Sequence, residues 1–241
     1  MPKFVELWVY LSATPLFGLT ATLVVYLLAQ AAYARLGQPP LANPVLWTVV
    51  CLAGGLLATG VPYPTYFAGA QFIHFLLGPA VVALAWPLWQ RRQELRQRWG
   101  RLLIAALLGG TAASGSAWLL AWAFDLPLEI KLSLVPKSVT APVAMGIAEK
   151  IGGIPALAAV FAVVTGLVGA LTGKYLFDAL RIPTNASGWA ARGFALGTAS
   201  HGLGAARAMQ VNADAGAYAG LALGLQVVLA SLLIPLMARF F

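Results

Sequence analysis

Charge is scarce in this sequence. Of its 241 residues 9% are charged, where a soluble domain carries roughly a quarter. At that composition a water-facing fold of this length has too few polar residues to cover itself, so a soluble domain is excluded. Cysteine is almost missing: Cys51 stands alone, which rules out a disulfide within the chain and a cysteine zinc cluster and leaves a small residue suited to apolar packing. There are two histidines, His74 and His201, neither beside a carboxylate pair. No metal site is expected from them, H-E-x-x-H does not occur, and Ser200-His201 lacks the spaced base and orienting group of a serine hydrolase. The run G-L-G-A-A at 202–206 completes neither a Walker loop nor a dinucleotide-binding turn. Neither an enzyme nor a cofactor is expected.

Apolar length is what the sequence has in excess. Hydrophobic residues make up 61%, and stretches near the 20 residues or so that cross a bilayer recur at about 7–34, 43–61, 66–89, 102–124, 130–149, 154–176, 189–210 and 214–240. The expected fold class is all-α: a polytopic transmembrane bundle of about seven to eight segments, forming one membrane domain over residues 1–241 in contact with the lipid bilayer. Glu6 lies early, Pro15 falls inside the first run and no small-residue cleavage site follows, so the first segment reads as a retained helix rather than a signal peptide. Trp8, Trp47, Trp86, Trp89 and Trp99 fall near predicted ends, as interfacial aromatics do.

The formal net charge of +8 does not point to nucleic acid, because the arginines gather in one connector. Arg91, Arg92, Arg96, Arg98 and Arg101 stand against the single Glu94, and the positive-inside rule places such a connector in the cytoplasm. Alternating outward from there puts the N-terminus outside and Arg35 and Arg207 inside, in agreement with the rule. Lys174 and Arg181 fall outside, against it. At least one later segment is therefore expected to be broken or re-entrant.

Three places are poor in continuous helix. Pro62 and Pro64 in GVPYPTYFAG lack the N–H groups a helix needs, and their rings crowd the preceding turn. In SLVPKSVTAPVA, Pro136 and Pro142 isolate Lys137, Ser138, Val139 and Thr140 between two helical halves. In GFALGTASHGLGAARA, Gly193, Gly197, Gly202 and Gly204 surround Thr198, Ser200 and His201, weakening helix and allowing close backbone approach. Hydrocarbon cannot satisfy loose backbone groups, so such breaks belong inside protein or beside a wet cavity. V-P at 61–62 followed by P-A-V-V-A at 79–83 echoes V-P at 135–136 followed by P-A-L-A-A at 155–159, a hint of the internal repeats found in transporters.

Charges in apolar segments cost roughly 2.5–3.5 kcal/mol each on insertion scales, so each needs a partner or a task. Lys137, Glu149, Lys150, Arg192 and Arg207 are of this kind. Lys137 beside Ser138 and Thr140 suits a carboxylate; the plainer alternative is that it snorkels or pairs with Glu129. His201 beside Ser200 either binds substrate and carries a proton or is a hydrogen-bonded packing residue; His74, with fewer polar neighbours, reads as packing. Tyr63, Thr65 and Tyr66 supply a polar cavity rim or an interfacial belt. Glu149 and Lys150, before Gly152, Gly153 and Pro155, read as a helix-end pair. Abundant glycine and alanine permit tight helix packing and a homo-oligomer.

Three motifs taken together, VPKSVTAPVAMGIAEKIGGIPALAAVFAVVTGLVGA, ARGFALGTASHGLGAARAMQ and GAYAGLALGL, resemble the LrgB/CidB family of bacterial membrane proteins. The likeness is strongest over residues 132–224. It implies a bacterial cytoplasmic-membrane protein with an antiholin-like role, modulating murein hydrolase activity and lysis together with a smaller membrane partner of the LrgA/CidA type. Relatives are also associated with small monocarboxylates: pyruvate in bacteria, glycolate or glycerate in plastid envelopes. Ala205 stands where many relatives carry threonine and Gly146 where some carry a carboxylate, so no hydroxyl or acid role passes to those positions. The expected site is Lys137, Ser138, Thr140, Thr198, Ser200, His201, Tyr63 and Tyr66, with His201 coupling protons and Pro62, Pro64, Pro136, Pro142, Gly197, Gly202 and Gly204 breaking the backbone. The expected function is monocarboxylate transport by alternating access; the alternative is a holin-like pore or regulator of lysis.

Overall fold

The computed structural model describes residues 15–76, 79, 89 and 92–238. Residues 7–14 of the first expected segment, Trp8, Trp86, Arg91, residues 80–83 of the P-A-V-V-A echo and the side chains of His74 and Glu94 lie outside that description. Every regular element among the described residues is helical. Four helical stretches, Leu16–Arg35, Arg96–Ala123, Pro155–Ala179 and Ala213–Met237, are long and apolar enough to cross a membrane. At 1.5 Å per residue each measures about 30 Å or more, the thickness of a hydrocarbon core. The molecule is a multi-pass helical membrane protein, and it packs as two compact units divided between residues 83 and 84.

The first unit holds α1 (Pro15–Arg35), a 3-10 turn at Pro40–Ala42, α2 (Pro44–Thr59) and α3 (Tyr63–Phe75). The Asn43 side chain caps α2 by accepting from the N–H groups of Val45 and Leu46, and Pro44 occupies the first turn, where no N–H is needed. Gly60, at φ 68°, ends the helix in the left-handed region. Val61 and Pro62 are non-helical and Pro64 sits in the first turn of α3, so the chain is interrupted at GVPYP. A Cβ on Gly18 of α1 would fall 2.0 Å from the Tyr66 carbonyl oxygen of α3; only glycine lets these two backbones approach so closely.

The second unit holds α4 (Arg92–Ala123), α5 (Leu128–Leu134), α6 (Ala141–Ile151), α7 (Pro155–Ala179), α8 (Ala186–Val211) and α9 (Ala213–Met237). Two of its segments do not run through. Pro136 withholds an N–H, the Lys137 N–H turns to the Leu134 carbonyl and that of Val139 to the Pro136 carbonyl, so helix stops at Leu134 and restarts at Ala141. The Ser133 hydroxyl then donates to the Glu129 carbonyl at 2.6 Å and accepts from the Ile154 N–H at 2.7 Å. Since Ser133 and Ile154 touch, everything between them goes out and comes back. The stretch from Ser133 to Ile154, entered through α5, therefore forms a re-entrant hairpin with PKSVT at its turn and α6, about 16 Å long, as its return limb. Gly152, at φ 89°, turns the chain directly into α7.

The second reversal lies within α8. Ser200 (φ −128°, ψ 16°) and His201 (φ 42°, ψ −133°) are non-helical. A Cβ on Gly204 would meet the Leu196 carbonyl oxygen at 2.6 Å, although in one continuous helix residues eight apart are separated by about 12 Å along the axis. The limb 202–211 thus folds back along 186–199. The contacts with α9 agree: Cβ atoms on Gly193 and Gly197 would meet the Ala215 and Ala219 carbonyls, a constant offset of 22 positions that makes the first limb and α9 parallel. Two reversals, one at Ser200–His201 and one at Asn212, restore the direction.

Three helices of this unit, α4, α7 and α9, traverse it from side to side, and each hairpin enters from a different side. Arg92, Arg96, Arg98 and Arg101 mark the side where α4 begins, and Asp125, Glu129 and Lys131 the side where it ends. Because the first hairpin returns, α7 runs back and delivers Lys174 and Arg181 to the arginine side. The charge conflict of the alternating eight-pass count disappears.

Candidate functional site

The two hairpin tips both pack on α7. At the first, Val139 belongs to one buried cluster with Ala144, Ala158 and Ala162. The tight turn at 152–154 makes α6 and α7 antiparallel neighbours, so Ala141, twelve residues before Gly153, lies level with Thr165, twelve after it. At the second tip His201 Nε2 lies 2.8 Å from the Ala162 carbonyl oxygen, and a Cβ on Gly166 would stand 2.7 Å from the same nitrogen. A Cβ on Gly169 would overlap Ser200 Oγ at 1.7 Å. Both tips thus reach the same turns of α7, one from each side.

The chemistry at the first tip is cationic. Lys137 Nζ lies 3.4 Å from Ser138 Oγ; Lys137 is half-buried and Ser138 buried, and among the described residues no ion pair reaches Lys137. Thr140 is the N-cap of α6 but its side chain makes no cap hydrogen bond, and Pro142 has no N–H to offer. The N-terminal end of α6, the positive end of its dipole, therefore lies beside the Lys137 segment. Ser114 Oγ on α4 donates to the Val135 carbonyl at 3.0 Å, satisfying one backbone group at the break.

At the second tip a carbonyl can only accept, so the proton between His201 and Ala162 sits on Nε2. The ring is 5% exposed and Ser200 2%. The reversal falls on Ser200 and His201 themselves rather than on glycine. Gly204 lets the limbs close, Gly197 lets α9 approach, and Gly202 has open space around it. Thr198, 6% exposed, has a buried Oγ1 without a hydrogen-bond partner. It lines a groove of about 580 Å³ between α4 and the first limb of α8, whose walls also include Arg98, Arg101 and Tyr218 but not Lys137, Ser138, Thr140, Ser200 or His201.

Tyr63 and Tyr66 belong to the first unit. The Tyr66 hydroxyl is 2.7 Å from Thr22 Oγ1, and Tyr63 is exposed with its ring stacked on Phe67. Of the embedded charges, Arg192 is committed to structure: it pairs with Asp178 at 2.8 Å, donates to the Ile182 carbonyl and lies over the rings of Phe177 and Trp189. Glu149 and Lys150 are exposed in the last turn of α6, and Arg207 is buried. Sequence reading missed Ser133, Ser114 and the glycines of α7, although Gly166, Gly169 and Gly173 at helical spacing mark a face narrow enough to receive another backbone. It also missed Gln226, whose amide donates to the Ala106 carbonyl at 2.6 Å. Among the described residues no cluster of His, Cys, Asp and Glu could hold a metal ion.

Comparison with known proteins gives this arrangement a lineage. An uncharacterized protein of Bacillus subtilis, YxaC, is 34% identical over 91% of this chain and 94% of its own length. An uncharacterized protein of Haemophilus influenzae is 35% identical over 80% and 82%. The holin-like protein CidB of Staphylococcus aureus is 29% identical over 91% and 94%. No solved structure matches. The sequence profile of the LrgB-like family matches residues 22–240, and with it the family resemblance of the motifs is established: the chain belongs to the LrgB-like family of membrane proteins.

Proposed function

We propose that this chain is the larger component of a transporter for small monocarboxylates of the pyruvate, glycolate or glycerate class, working in the bacterial cytoplasmic membrane with an LrgA/CidA-type partner. The observation that carries this reading is the packing of two opposed re-entrant tips, PKSVT and SH, on the same turns of α7. Broken helices meeting in the middle of a membrane protein are how transporters build sites there, because half-helix N-termini aim positive dipole ends at an anion. Here the N-terminus of α6, next to the ammonium of Lys137 and the hydroxyls of Ser138 and Thr140, and that of the limb starting at Gly202 both begin against the same turns of α7. These groups replace the water around a carboxylate. Movement of the hairpins exposes the site to either side in turn, and His201, holding Ala162 through Nε2, keeps Nδ1 for a coupled proton.

The test is reconstitution with the partner in liposomes and uptake of labelled pyruvate or glycolate. Uptake is expected to fall strongly in Lys137→Ala and His201→Ala; unchanged uptake in both removes these residues from the mechanism.

The names of the CidB relatives favour a second reading, a holin-like lesion or a regulator of murein hydrolase activity. It requires leakage of unrelated solutes. Release of an entrapped dye from the same liposomes, at a rate indifferent to Lys137→Ala, supports the pore and removes the transporter.

A further inference from the structure

We infer that the groove between α4 and the first limb of α8 is a vestibule that gathers the anionic substrate on the arginine-bearing side and leads it toward the Ser200–His201 tip. The inference rests on the transport reading above. The groove has two unlike ends. At the outer end stand the exposed Arg98 and Arg101 with Ser187; at the inner end Thr198 lies against Gly109 of α4, where an added Cβ would stand 2.8 Å from Thr198 Cγ2. From Arg98 to Gly109 and from Ser187 to Thr198 is eleven residues on either helix, about 16 Å. The groove therefore runs from the surface to Ala199, the residue next to the tip.

Its lining matches a short carboxylate in order. Positive charge at a mouth flanked by low-dielectric walls raises the local concentration of anions, and the Arg101 guanidinium presents paired donors to a carboxylate. Leu102, Phe194 and the alanines between them offer no group that would hold the anion. At the inner wall the Thr198 hydroxyl is buried with its oxygen unpartnered, a state that costs free energy until a partner arrives, and a turn of χ1 by about 120° moves that oxygen into the position the methyl group now holds. A volume of about 580 Å³ holds a short monocarboxylate with water around it. The groove thus gathers and passes on its ligand, and selectivity belongs to the hairpin tips.

The experiment uses the full chain with Cys51→Ser, which leaves no native thiol, and Ala195→Cys on the groove wall, with Ala191→Cys as a second position should the first express poorly. A negatively charged, membrane-impermeant thiol reagent is applied to inverted and right-side-out vesicles, with and without pyruvate or its neutral amide. The expected result is labelling from the arginine side only, slowed severalfold by pyruvate and not by the amide, the slowing being lost in Arg101→Gln and Thr198→Val. No labelling from that side, as in a slot filled by lipid or protein, overturns the inference, and so does labelling indifferent to pyruvate. Parallel uptake separates the two failures. Protection without uptake keeps the groove and removes transport; uptake without protection keeps transport and removes the groove.

Discussion

His201 Nε2 lies 2.8 Å from the carbonyl oxygen of Ala162, thirty-nine residues earlier in the chain. This bond joins the tip of the second hairpin to the turn of α7 that the first hairpin also covers, since Ala162 belongs to the same buried cluster as Val139. Two polar tips that would be intolerable in hydrocarbon are held between helices, where neighbouring backbones take up their hydrogen bonds.

Gly169→Ala tests how tightly the second tip is seated. The added methyl overlaps Ser200 Oγ at 1.7 Å, and overpacking of this kind costs about 1–3 kcal/mol. Gly224 has nothing within 4 Å, so Gly224→Ala should be neutral or slightly stabilising, by up to about 1 kcal/mol. Thermal melts in detergent are expected to move apart in that order; equal melting temperatures would mean that α7 and the tip are not in contact.

His201→Gly separates the shape of the tip from its chemistry. The backbone at φ 42°, ψ −133° is strained for a side-chain-bearing residue by about 1–3 kcal/mol, while the lost hydrogen bond contributes about 1 kcal/mol. These two terms oppose each other, but deleting the buried ring also leaves a cavity, so the variant should melt below the parent and lose uptake. A variant that transports normally assigns His201 to packing.

The direction of α7 follows from the first hairpin and is directly measurable. In the Cys51→Ser background, Gln97→Cys and Arg181→Cys should react with an impermeant thiol reagent from one face of the membrane and Asp125→Cys from the other. Labelling of positions 97 and 181 from opposite faces restores eight full crossings and removes the hairpins.

Arg192 binds Asp178, the Ile182 carbonyl and two aromatic rings at once, a geometry that needs a flat fork of donors. Arg192→Lys keeps the charge and loses the fork, and should cost about 1–3 kcal/mol. Asp178 is half exposed, so Asp178→Asn should cost less, about 0–1 kcal/mol. A melt in which the asparagine variant is the weaker of the two shows that the ion pair, and not the fork, holds this end of α8.

Much of this molecule is written in its local chemistry. Long apolar runs without charge favour helices in a bilayer, and α2, α7, α8 and α9 fall within a few residues of their runs. By contrast α4 starts ten residues before its run, and the run at 130–149 divides into α5 and α6. Proline cannot donate, so the stops before Pro62 and Pro136 follow from residue type alone; the arginines of the 92–101 stretch set the sidedness of α4. The sequence also located the chemistry-bearing residues at the breaks, because Lys137, Ser200 and His201 are too costly to face lipid. Local pattern carries no information about direction after a break. A helix that pauses at Ser200 can go on or turn back, and the outcome depends on whether another backbone can come close enough to replace the lost contacts. Gly166 and Gly169 on α7 and Gly204 on the returning limb provide that room, as does the Ser133 hydroxyl that takes the Ile154 N–H. These are relations between residues 8 to 39 positions apart, so only the packed tertiary structure could turn two interrupted spans into opposed hairpins that pack on one helix.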